Sequence, residues 1–311
     1  MGMDTRVLVT GHSGFLGQAV MRELRKRPCA VSTPFGRREV DLRNTESVEA
    51  VFCDEDPELI LHLAYPGSQG IITSVEDSGM LIRDLLQIDL NVIEAAEHAT
   101  MVPKLVCLGS VCSYPEYTIL PTTEDQLWNG YPEAVNAPYG IAKRMSLVLL
   151  QTYRKQYGLN GIYLILSNLY GPGDHSGHVI PSLIRKVRQA KEEGGPVVVW
   201  GRPDVTRSFT FVDDAAQGIL KAVDLYNSGE PLNLCSGEEI QMAELVGQIA
   251  EHLDYHGQIL YDETKPTGHL RRCFSTAKME AALGGWIPPT PFEDGLAKTI
   301  EWSLSHEPLA G

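Results

Sequence analysis

Close to the start of the sequence, a short apolar run at residues 7–9 is followed by three evenly spaced glycines. The stretch from residue 9 to residue 20 reads VTGHSGFLGQAV, in which Gly11, Gly14 and Gly17 stand at the spacing G-x-x-G-x-x-G. The apolar run predicts a buried strand, and the residues after it have the periodicity of a helix. A glycine turn between them lets the backbone approach a pyrophosphate, which the helix N-terminus holds with its unpaired N–H groups. The feature therefore predicts a strand–turn–helix unit that binds a dinucleotide.

Short apolar runs alternate with helical patterns through the first half of the chain. The predicted strands are RVLVTG, CAVSTPF, LILHLA, KLVCLGS and YLILSNLYGP, and the predicted helices are GFLGQAVMRELRKR, TESVEAVFCD, LLQIDLNVIEAAEHA and a long segment from Ala137. We expect the second of these helices to start with a capping residue at Thr45. Alternation of this kind builds a parallel sheet with helices on both faces. The predicted fold class is α/β, a Rossmann-type doubly wound parallel sheet with a smaller C-terminal substrate-binding lobe.

The second half of the chain has a different character. Short elements such as VVVWG, RSFTFVDDAA and PLNLCSG are joined by turn residues and by the proline-rich GGWIPPTPFEDG. We predict a dinucleotide-binding domain over residues 1–171 and, over residues 172–311, mainly a substrate-binding lobe. The lobe is expected to be discontinuous, with segments that return to the first domain.

The composition limits the partners of the chain. It has 40 acidic and 26 basic residues, a formal net charge of −14, and such a surface repels the phosphate backbone of nucleic acids. Six cysteines without a C-x-x-C pair favour reduced thiols, and we assign no metal ligand. No apolar run reaches the roughly 18 residues of a membrane span, and the N-terminal stretch lacks the character of a signal peptide. We expect a soluble cytoplasmic protein that binds neither nucleic acid nor membranes.

The end of the second predicted strand bears on the choice of dinucleotide. NAD sites usually place a carboxylate there, which binds the ribose 2′-hydroxyl. Here the segment reads FGRRE and offers Arg37 and Arg38. An arginine at this point can pair with a 2′-phosphate, so NADP is the favoured cofactor and NAD the close alternative.

A tyrosine, a lysine and a serine form a candidate acid–base site. Tyr139 and Lys143 in NAPYGIAKR are four residues apart and therefore share one face of a helix. For acid–base work at neutral pH the tyrosine pKa must fall by about 3 units, which is about 4 kcal/mol. One ammonium about 4 Å away supplies about that amount at an effective dielectric constant of about 20. Ser110 ends the KLVCLGS strand at the sheet edge that holds ligands, and its hydroxyl can bind a sugar oxygen.

Eight motifs give the chain a family resemblance. GHSGFLG, CLGSVCSYP, NAPYGIAK, NLYGPGD, HVIPSLI, VVVWG, RSFTFVDD and KPTGHLRR follow in this order from about residue 5 to about residue 300. In these motifs the chain resembles the extended short-chain dehydrogenase/reductases, and within them the nucleotide-sugar epimerase/dehydratases of the GDP-L-fucose synthase branch. The pairing of GSVCSYP with HVIP is the narrowest part of this resemblance.

The resemblance implies an NAD(P)-dependent epimerase that acts on a GDP-hexose through a 4-keto sugar, as a homodimer. It implies that Tyr139 exchanges a proton with the C4 oxygen, supported by Lys143 and Ser110. Cys112 and His178 then move protons at C3, at C5 or at both. A ketone at C4 acidifies these C–H bonds, and a thiol and an imidazole, with ordinary pKa values of about 8.5 and about 6.5, suit proton removal and return.

The assignment of the remaining site residues is guided by the resemblance to the family. The resemblance implies substrate contacts from Asn168, Arg207 and Arg272. The predicted dinucleotide contacts are Gly11, Ser13, Gly14, Phe15, Leu16, Gly17, Arg37, Leu63, Ala64, Tyr139, Lys143, Asn168 and His178.

Two departures from the family pattern leave alternatives open. Ser13 stands where the reductases usually carry an arginine for the 2′-phosphate, and Thr267 and Leu270 replace an aspartate and a proline. One alternative is therefore a self-contained GDP-mannose epimerase that keeps a tightly bound NAD and performs no net reduction. An alternative of another class is a non-catalytic module that senses dinucleotides.

Overall fold

The computed structural model describes residues 5–35, 40–66, 78–265 and 268–306. The strands are β1 Thr5–Thr10, β2 Cys29–Ser32, β3 Leu59–His62, β4 Lys104–Ser110, β5 Asn160–Leu166, β6 Asn168–Tyr170, β7 Val197–Trp200, β8 Thr206–Arg207, β9 Phe209–Phe211, β10 Pro231–Leu234, β11 Ile240–Gln241 and β12 Ile259–Asp262. The helices are α1 Phe15–Leu24, α2 Thr45–Glu55, α3 Ser78–His98, α4 Ala137–Tyr157, α5 Val179–Glu193, α6 Val212–Leu225, α7 Met242–His252, α8 Ala277–Ala282 and α9 Phe292–His306. Short 3₁₀ helices span Val111–Ser113 and Glu124–Trp128.

Six strands form one parallel sheet in the order β10-β5-β4-β3-β1-β2. After β1 the chain builds β2 on one side and β3 on the other, so the order of the sheet reverses between β1 and β3. Ligands of open α/β sheets bind outside the carboxyl ends of the strands at such a reversal. The topology therefore places the candidate site beside the ends of β1 and β3.

Helices cover both faces of this sheet. Successive strand residues point to opposite faces, so Leu8 and Ile60 pack against α2, α3 and α4, whereas Val7 and Leu61 pack against α1, α6 and α8. All four side chains are at least 99 % buried. Burial on both faces is the reason why these strands read as continuous apolar runs. The predicted fold class is confirmed.

The last 140 residues build a third core cluster, in which α5, α7 and α9 pack around β7 and β9. Three two-stranded sheets join β11 to β8, β12 to β7 and β6 to β9. The chain then returns to the large sheet, because β10 pairs with β5 in parallel. The division of the chain at residues 171 and 172 stays a prediction. No helix in the described ranges is long and apolar enough to cross a membrane.

Two local expectations are corrected. The cap of α2 is Asn44, whose side chain accepts a hydrogen bond from the backbone N–H of Ser47, and Thr45 is the first helical residue. The segment YLILSNLYGP is not one strand: β5 ends at Leu166 and β6 begins at Asn168. The interruption at Ser167 lets the chain leave the large sheet and pair with β9 instead.

Candidate active site

The glycine turn joins β1 to α1 through very close backbone contacts. Gly11 has a φ of 70°, and a Cβ at this position would stand 2.7 Å from the backbone of Ala64. A Cβ on Gly17 would collide with the carbonyl oxygen of Gly11. Gly14 donates its N–H to the same carbonyl at 3.1 Å. The turn therefore requires glycine at both ends, and it brings Gly11 against the segment Leu63–Ala64 after β3.

The N-terminus of α1 has the donors that a diphosphate needs. Its N-cap is Gly14, with no side-chain cap, and its first turn has no acidic residue. Phe15 and Leu16 begin the helix and are half-buried, whereas Ser13 and Gly14 are exposed. Beside the turn, the Nδ1 atom of His12 is buried and has no hydrogen-bond partner among the described residues. Free helix N–H groups and an unpartnered polar atom fit a bound anion at this point.

Of the residues expected to determine the preference for NAD or NADP, the structure describes Ser13. Arg37 and Arg38 lie outside the described residues. Ser13 is exposed, and its carbonyl accepts a hydrogen bond from the Nε2 atom of Gln18 at 3.0 Å. Ser13 offers no cation to a 2′-phosphate.

Three of the predicted catalytic residues come together at the end of β4. The Ser110 hydroxyl accepts the backbone N–H of Cys112 at 3.2 Å and so caps the short 3₁₀ helix that carries this cysteine. Ser110 and Cys112 both lie near Tyr139, because the side chains of both influence the pKa of its phenol. A Cβ on Gly140 would collide with the carbonyl of Cys112, so this glycine lets α4 approach the cysteine.

The structure corrects the expectation that the pKa of Tyr139 is low. Burial is the largest influence and raises the pKa of the phenol, and the charges of Cys112, Tyr65 and Asp89 raise it further. The hydrogen bond from Ser110 opposes this rise. The Lys143 ammonium lies 3.7 Å from the Asp89 carboxylate. In this state the tyrosine is a neutral acid.

A second tyrosine, which the sequence analysis did not identify, lies against the first. The rings of Tyr65 and Tyr139 are 5.5 Å apart between centroids and meet edge to face. Burial and the neighbouring Cys112 raise the pKa of Tyr65 to about 12, although its surface is 43 % exposed. Tyr65 directly follows Leu63 and Ala64, which were predicted to contact the dinucleotide. Its position shortly after β3 was the sequence signal that could have identified it as a site residue.

The two predicted substrate arginines share one charged cluster. Arg207 donates to the carbonyl of His269 at 2.6 Å, and Arg272 pairs with Glu133 at 2.7 Å. Burial, and after it the charge of Arg272, lowers the pKa of Arg207 to about 10, while Glu133 opposes this fall. The His269 ring lies 3.6 Å from the same carboxylate. Glu133 and His269 were not predicted, and no local pattern marks them.

Two other predicted site residues, His178 and Asn168, form their hydrogen bonds with residues outside the arginine cluster. His178 is exposed and is the N-cap of α5, where its backbone N–H donates to the Ser176 hydroxyl at 3.1 Å. Asn168 is half-buried in β6 and donates to the carbonyl of Ser208 at 3.1 Å. Within the described ranges, no hydrogen bond, ion pair or ring contact joins His178 to Cys112 or Tyr139, so its pairing with the cysteine stays a prediction.

The fold and the site together define an α/β enzyme of the dinucleotide-binding type, in which Ser110, Cys112 and Tyr139 lie close together at the carboxyl edge of the sheet. The profile of the NAD dependent epimerase/dehydratase family matches residues 7–235, and the chain belongs to this family. The chain is 36 % identical to a GDP-L-fucose synthase of Sinorhizobium fredii over 306 residues, which covers 97 % of this chain and 96 % of that protein.

Solved structures agree with this assignment. A GDP-L-fucose synthetase from Naegleria fowleri bound to NADP has a TM-score of 0.87 at 28 % identity and covers 98 % of this chain and 95 % of its own. A GDP-mannoheptose C4 reductase from Campylobacter jejuni with NADP bound has a TM-score of 0.86 at 27 % identity, and covers 98 % of this chain and 99 % of its own. The family named from the sequence motifs is confirmed.

Proposed function

We propose that the protein is an NADPH-dependent epimerase and reductase of a GDP-linked 4-keto-hexose. One observation carries the proposal: Cys112, a group able to exchange a proton at carbon, lies close to Tyr139, a group able to protonate the C4 oxygen. The GDP-linked substrate is supported by the names of the similar synthase and reductase. The choice of C3, C5 or both remains part of the prediction drawn from the resemblance.

The cofactor proposed is NADP, as in the similar structures with NADP bound. Residues Gly11, Gly14, Gly17, Leu63 and Ala64 would hold its diphosphate and neighbouring groups through the turn and the N-terminus of α1. When bound in its reduced form, the cofactor supplies a hydride to the C4 carbon. The remaining predicted contacts, Ser13, Phe15, Leu16, Arg37, Tyr139, Lys143, Asn168 and His178, stay part of this proposal.

The protein residues would then divide the proton transfers. Cys112 and His178 remove a proton from carbon next to the ketone and return one on the opposite face, which inverts the centre. Tyr139 donates its phenolic proton to the C4 oxygen as the ketone becomes an alcohol, and Ser110 hydrogen-bonds the same oxygen. Lys143 supports the phenolate that results. Arg207 and Arg272 bind the nucleotide-sugar from the other side.

The similarity to a GDP-L-fucose synthase and to a C4 reductase with NADP bound favours net reduction over the self-contained epimerase. Reduction of a ketone needs a protonated donor at the C4 oxygen, and burial keeps the phenol protonated. An epimerase that starts by oxidising a C4 alcohol needs the ionised phenol as a base instead. The non-catalytic module has little support, because Ser110, Cys112 and Tyr139 are close together.

Product analysis tests the proposal. Purified protein is mixed with NADPH and GDP-4-keto-6-deoxy-mannose, and in parallel with GDP-mannose alone. We expect oxidation of NADPH and an inverted, reduced product in the first mixture only, and no NADPH oxidation by Tyr139→Phe. Epimerised GDP-mannose without added NADPH, and no NADPH oxidation in the first mixture, would identify the self-contained epimerase. Inactivity in both, with intact dinucleotide binding, would favour the sensing module.

We also propose that the enzyme is a cytoplasmic homodimer, as the resemblance implies. All six cysteines are free thiols, in agreement with a reducing compartment. Met145 and Val148 lie nearly one turn apart on α4 and are 52 % and 47 % exposed, an apolar patch that a second copy can cover. Light scattering should give a particle of two chains, and Met145→Glu with Val148→Glu should give single chains.

A further inference from the structure

A chain of buried polar side chains runs beneath the glycine turn. Thr10, His62, Asp89, Lys143 and Ser146 are each at most 6 % exposed. They belong to β1, β3, α3 and α4 and so join four separate segments. Buried polar groups of this kind are costly unless each finds a partner. The sequence analysis assigned a role to Lys143 alone among them.

The hydrogen bonds determine which atom donates and which accepts at each step of this chain of side chains. The backbone N–H of Ala64 donates to the Thr10 hydroxyl at 3.2 Å, so the hydroxyl proton is available to the Nδ1 atom of His62 at 2.8 Å. A ring that accepts at Nδ1 carries its proton on Nε2 when neutral. The Nε2 atom therefore donates to Asp89 Oδ1, 2.9 Å away. This tautomer follows from the partners on either side of the ring.

The other carboxylate oxygen of Asp89 faces the lysine. Asp89 Oδ2 accepts a hydrogen bond from the Ser146 hydroxyl and lies 3.7 Å from the Lys143 ammonium. Burial alone would raise the pKa of Asp89, but Lys143, His62 and Ser146 outweigh this effect and lower the pKa to about 2. The carboxylate is therefore ionised at neutral pH and has a partner on both oxygens.

Two further titratable groups near this pair, Cys107 and Tyr163, are neutral. Burial raises the pKa of Cys107 and of Tyr163, so both keep their protons. The Tyr163 hydroxyl donates to the backbone carbonyl of Lys143 at 2.6 Å and so holds the backbone of α4 at this point. Asp89 consequently supplies the negative charge that faces the lysine.

We propose that Asp89, oriented by His62 and Ser146, is a positioning residue that holds the Lys143 ammonium in place for Tyr139. The inference rests on the proposed function, in which Lys143 supports the phenolate formed when Tyr139 gives up its proton. The far end of the chain is Thr10, which directly precedes Gly11 and bonds Ala64. The same side chains thus tie the lysine to the backbone of the dinucleotide site.

A double-mutant cycle tests the inference. NADPH oxidation is measured with the 4-keto substrate for the native protein, Asp89→Asn, Lys143→Met and the double variant. We expect Asp89→Asn to lower kcat by about tenfold or more, a modest share of what acid–base residues contribute. The dissociation constant for NADPH is measured by fluorescence for each variant, because Lys143 is also a proposed dinucleotide contact, and kcat is compared at saturating NADPH. In the Lys143→Met background, Asp89→Asn should lower kcat no further.

Independent losses that multiply in the double variant would overturn the inference, since Asp89 would then act by a route other than Lys143. An unchanged kcat in Asp89→Asn beside an impaired Lys143→Met would also overturn it and leave the proposed function standing. An unchanged kcat in Lys143→Met would instead overturn the role that the proposed function gives to this lysine.

Two further variants separate positioning from folding. Asp214 is 1 % exposed and accepts two hydrogen bonds from Thr290 on the other side of the molecule, so Asp214→Asn should lower stability and leave kcat unchanged. If Asp89→Asn fails to fold, Ser146→Ala takes its place, because it removes one hydrogen bond from the carboxylate. Its loss of kcat must again disappear in the Lys143→Met background, and persistence of the loss there would refute the inference.

Discussion

The backbone carbonyl of Cys112 packs so closely against Gly140 that a Cβ at this position would collide with it. Because Gly140 directly follows Tyr139 in α4, this close approach fixes the thiol and the phenol relative to each other. Gly140→Ala should push the short 3₁₀ helix of Cys112 away from α4. A displacement of about 1 Å is expected to lower kcat by about 100-fold. The measurement is kcat for NADPH oxidation, with the binding of NADPH as a second readout that should stay unchanged.

Gly247 supplies the matched control. It lies in α7, and a Cβ there meets no atom of the described part of the chain within 4 Å. Gly247→Ala should leave kcat unchanged and raise the free energy of unfolding by about 0.5–1 kcal/mol, as alanine does for glycine inside a helix. Native kcat in Gly140→Ala would mean that the contact with Cys112 has no bearing on catalysis.

The dinucleotide side of the site could be predicted from the sequence because its signals are local. The glycine spacing, the apolar run before it and the helical pattern after it all lie within residues 7–24. Tyr139 and Lys143 were found for the same reason, since four residues separate two positions on one helix face. The direction of the Tyr139 pKa shift was predicted wrongly, because burial raises the pKa and because Cys112 and Tyr65, which lie on other segments, raise it further.

The pairing partners of Asp89 and Glu133 could not be predicted from the sequence. Asp89 lies in the buried stripe of α3, four residues after Leu85 and three before Val92, so a carboxylate among apolar positions was a readable signal. Its partner Lys143 is 54 positions away, and no spacing rule connects them. Glu133 pairs with Arg272 across 139 positions, which only the folded chain brings together.

Two adjacent arginines should differ in their effect on substrate binding. Arg272 is 18 % exposed and coupled to Arg207 through the Glu133 cluster, whereas Arg271 is 60 % exposed and pairs with Glu239. Arg272→Met is expected to raise KM for the GDP-sugar by about tenfold, because a charge-assisted contact to phosphate is worth about 1.5–3 kcal/mol. Arg271→Met should change KM less than about twofold, since exposed pairs contribute little. Equal effects of the two variants would argue against a substrate role for Arg272.

Glu239 should contribute stability that acid removes. Its hydrogen bond with Arg271 is the largest cause that lowers the pKa of Glu239, to about 2. A carboxyl with a lowered pKa stabilises the folded state above its unfolded pKa of about 4.3, and this contribution is lost as the pH falls through the folded pKa. Glu239→Gln should therefore cost about 1 kcal/mol at neutral pH, a small value because Arg271 is largely exposed.

Urea unfolding at a series of pH values measures this contribution. The difference between native protein and Glu239→Gln should shrink steadily below a pH of about 4.3. Arg271→Met removes the same ion pair from its other side, so Glu239→Gln should add little in that background. A difference that persists at low pH would show that the loss comes from packing and not from charge.

Cys112 should be needed for proton exchange at carbon but not for binding the dinucleotide. It lies two residues after Ser110 and beside Tyr139, where a thiol can reach carbon next to the C4 ketone. Cys112→Ser should slow the exchange of the C3 and C5 hydrogens with deuterated water by about 100-fold or more, because a hydroxyl is a far weaker acid than a thiol. Mass spectrometry of the recovered sugar measures the exchange, and fluorescence should give native affinity for NADPH. The control is Cys53→Ser, an exposed cysteine of α2 to which no role in the site is assigned, and this variant should exchange at the native rate. Native exchange in Cys112→Ser would remove the thiol from the mechanism and leave the proton transfer to another group.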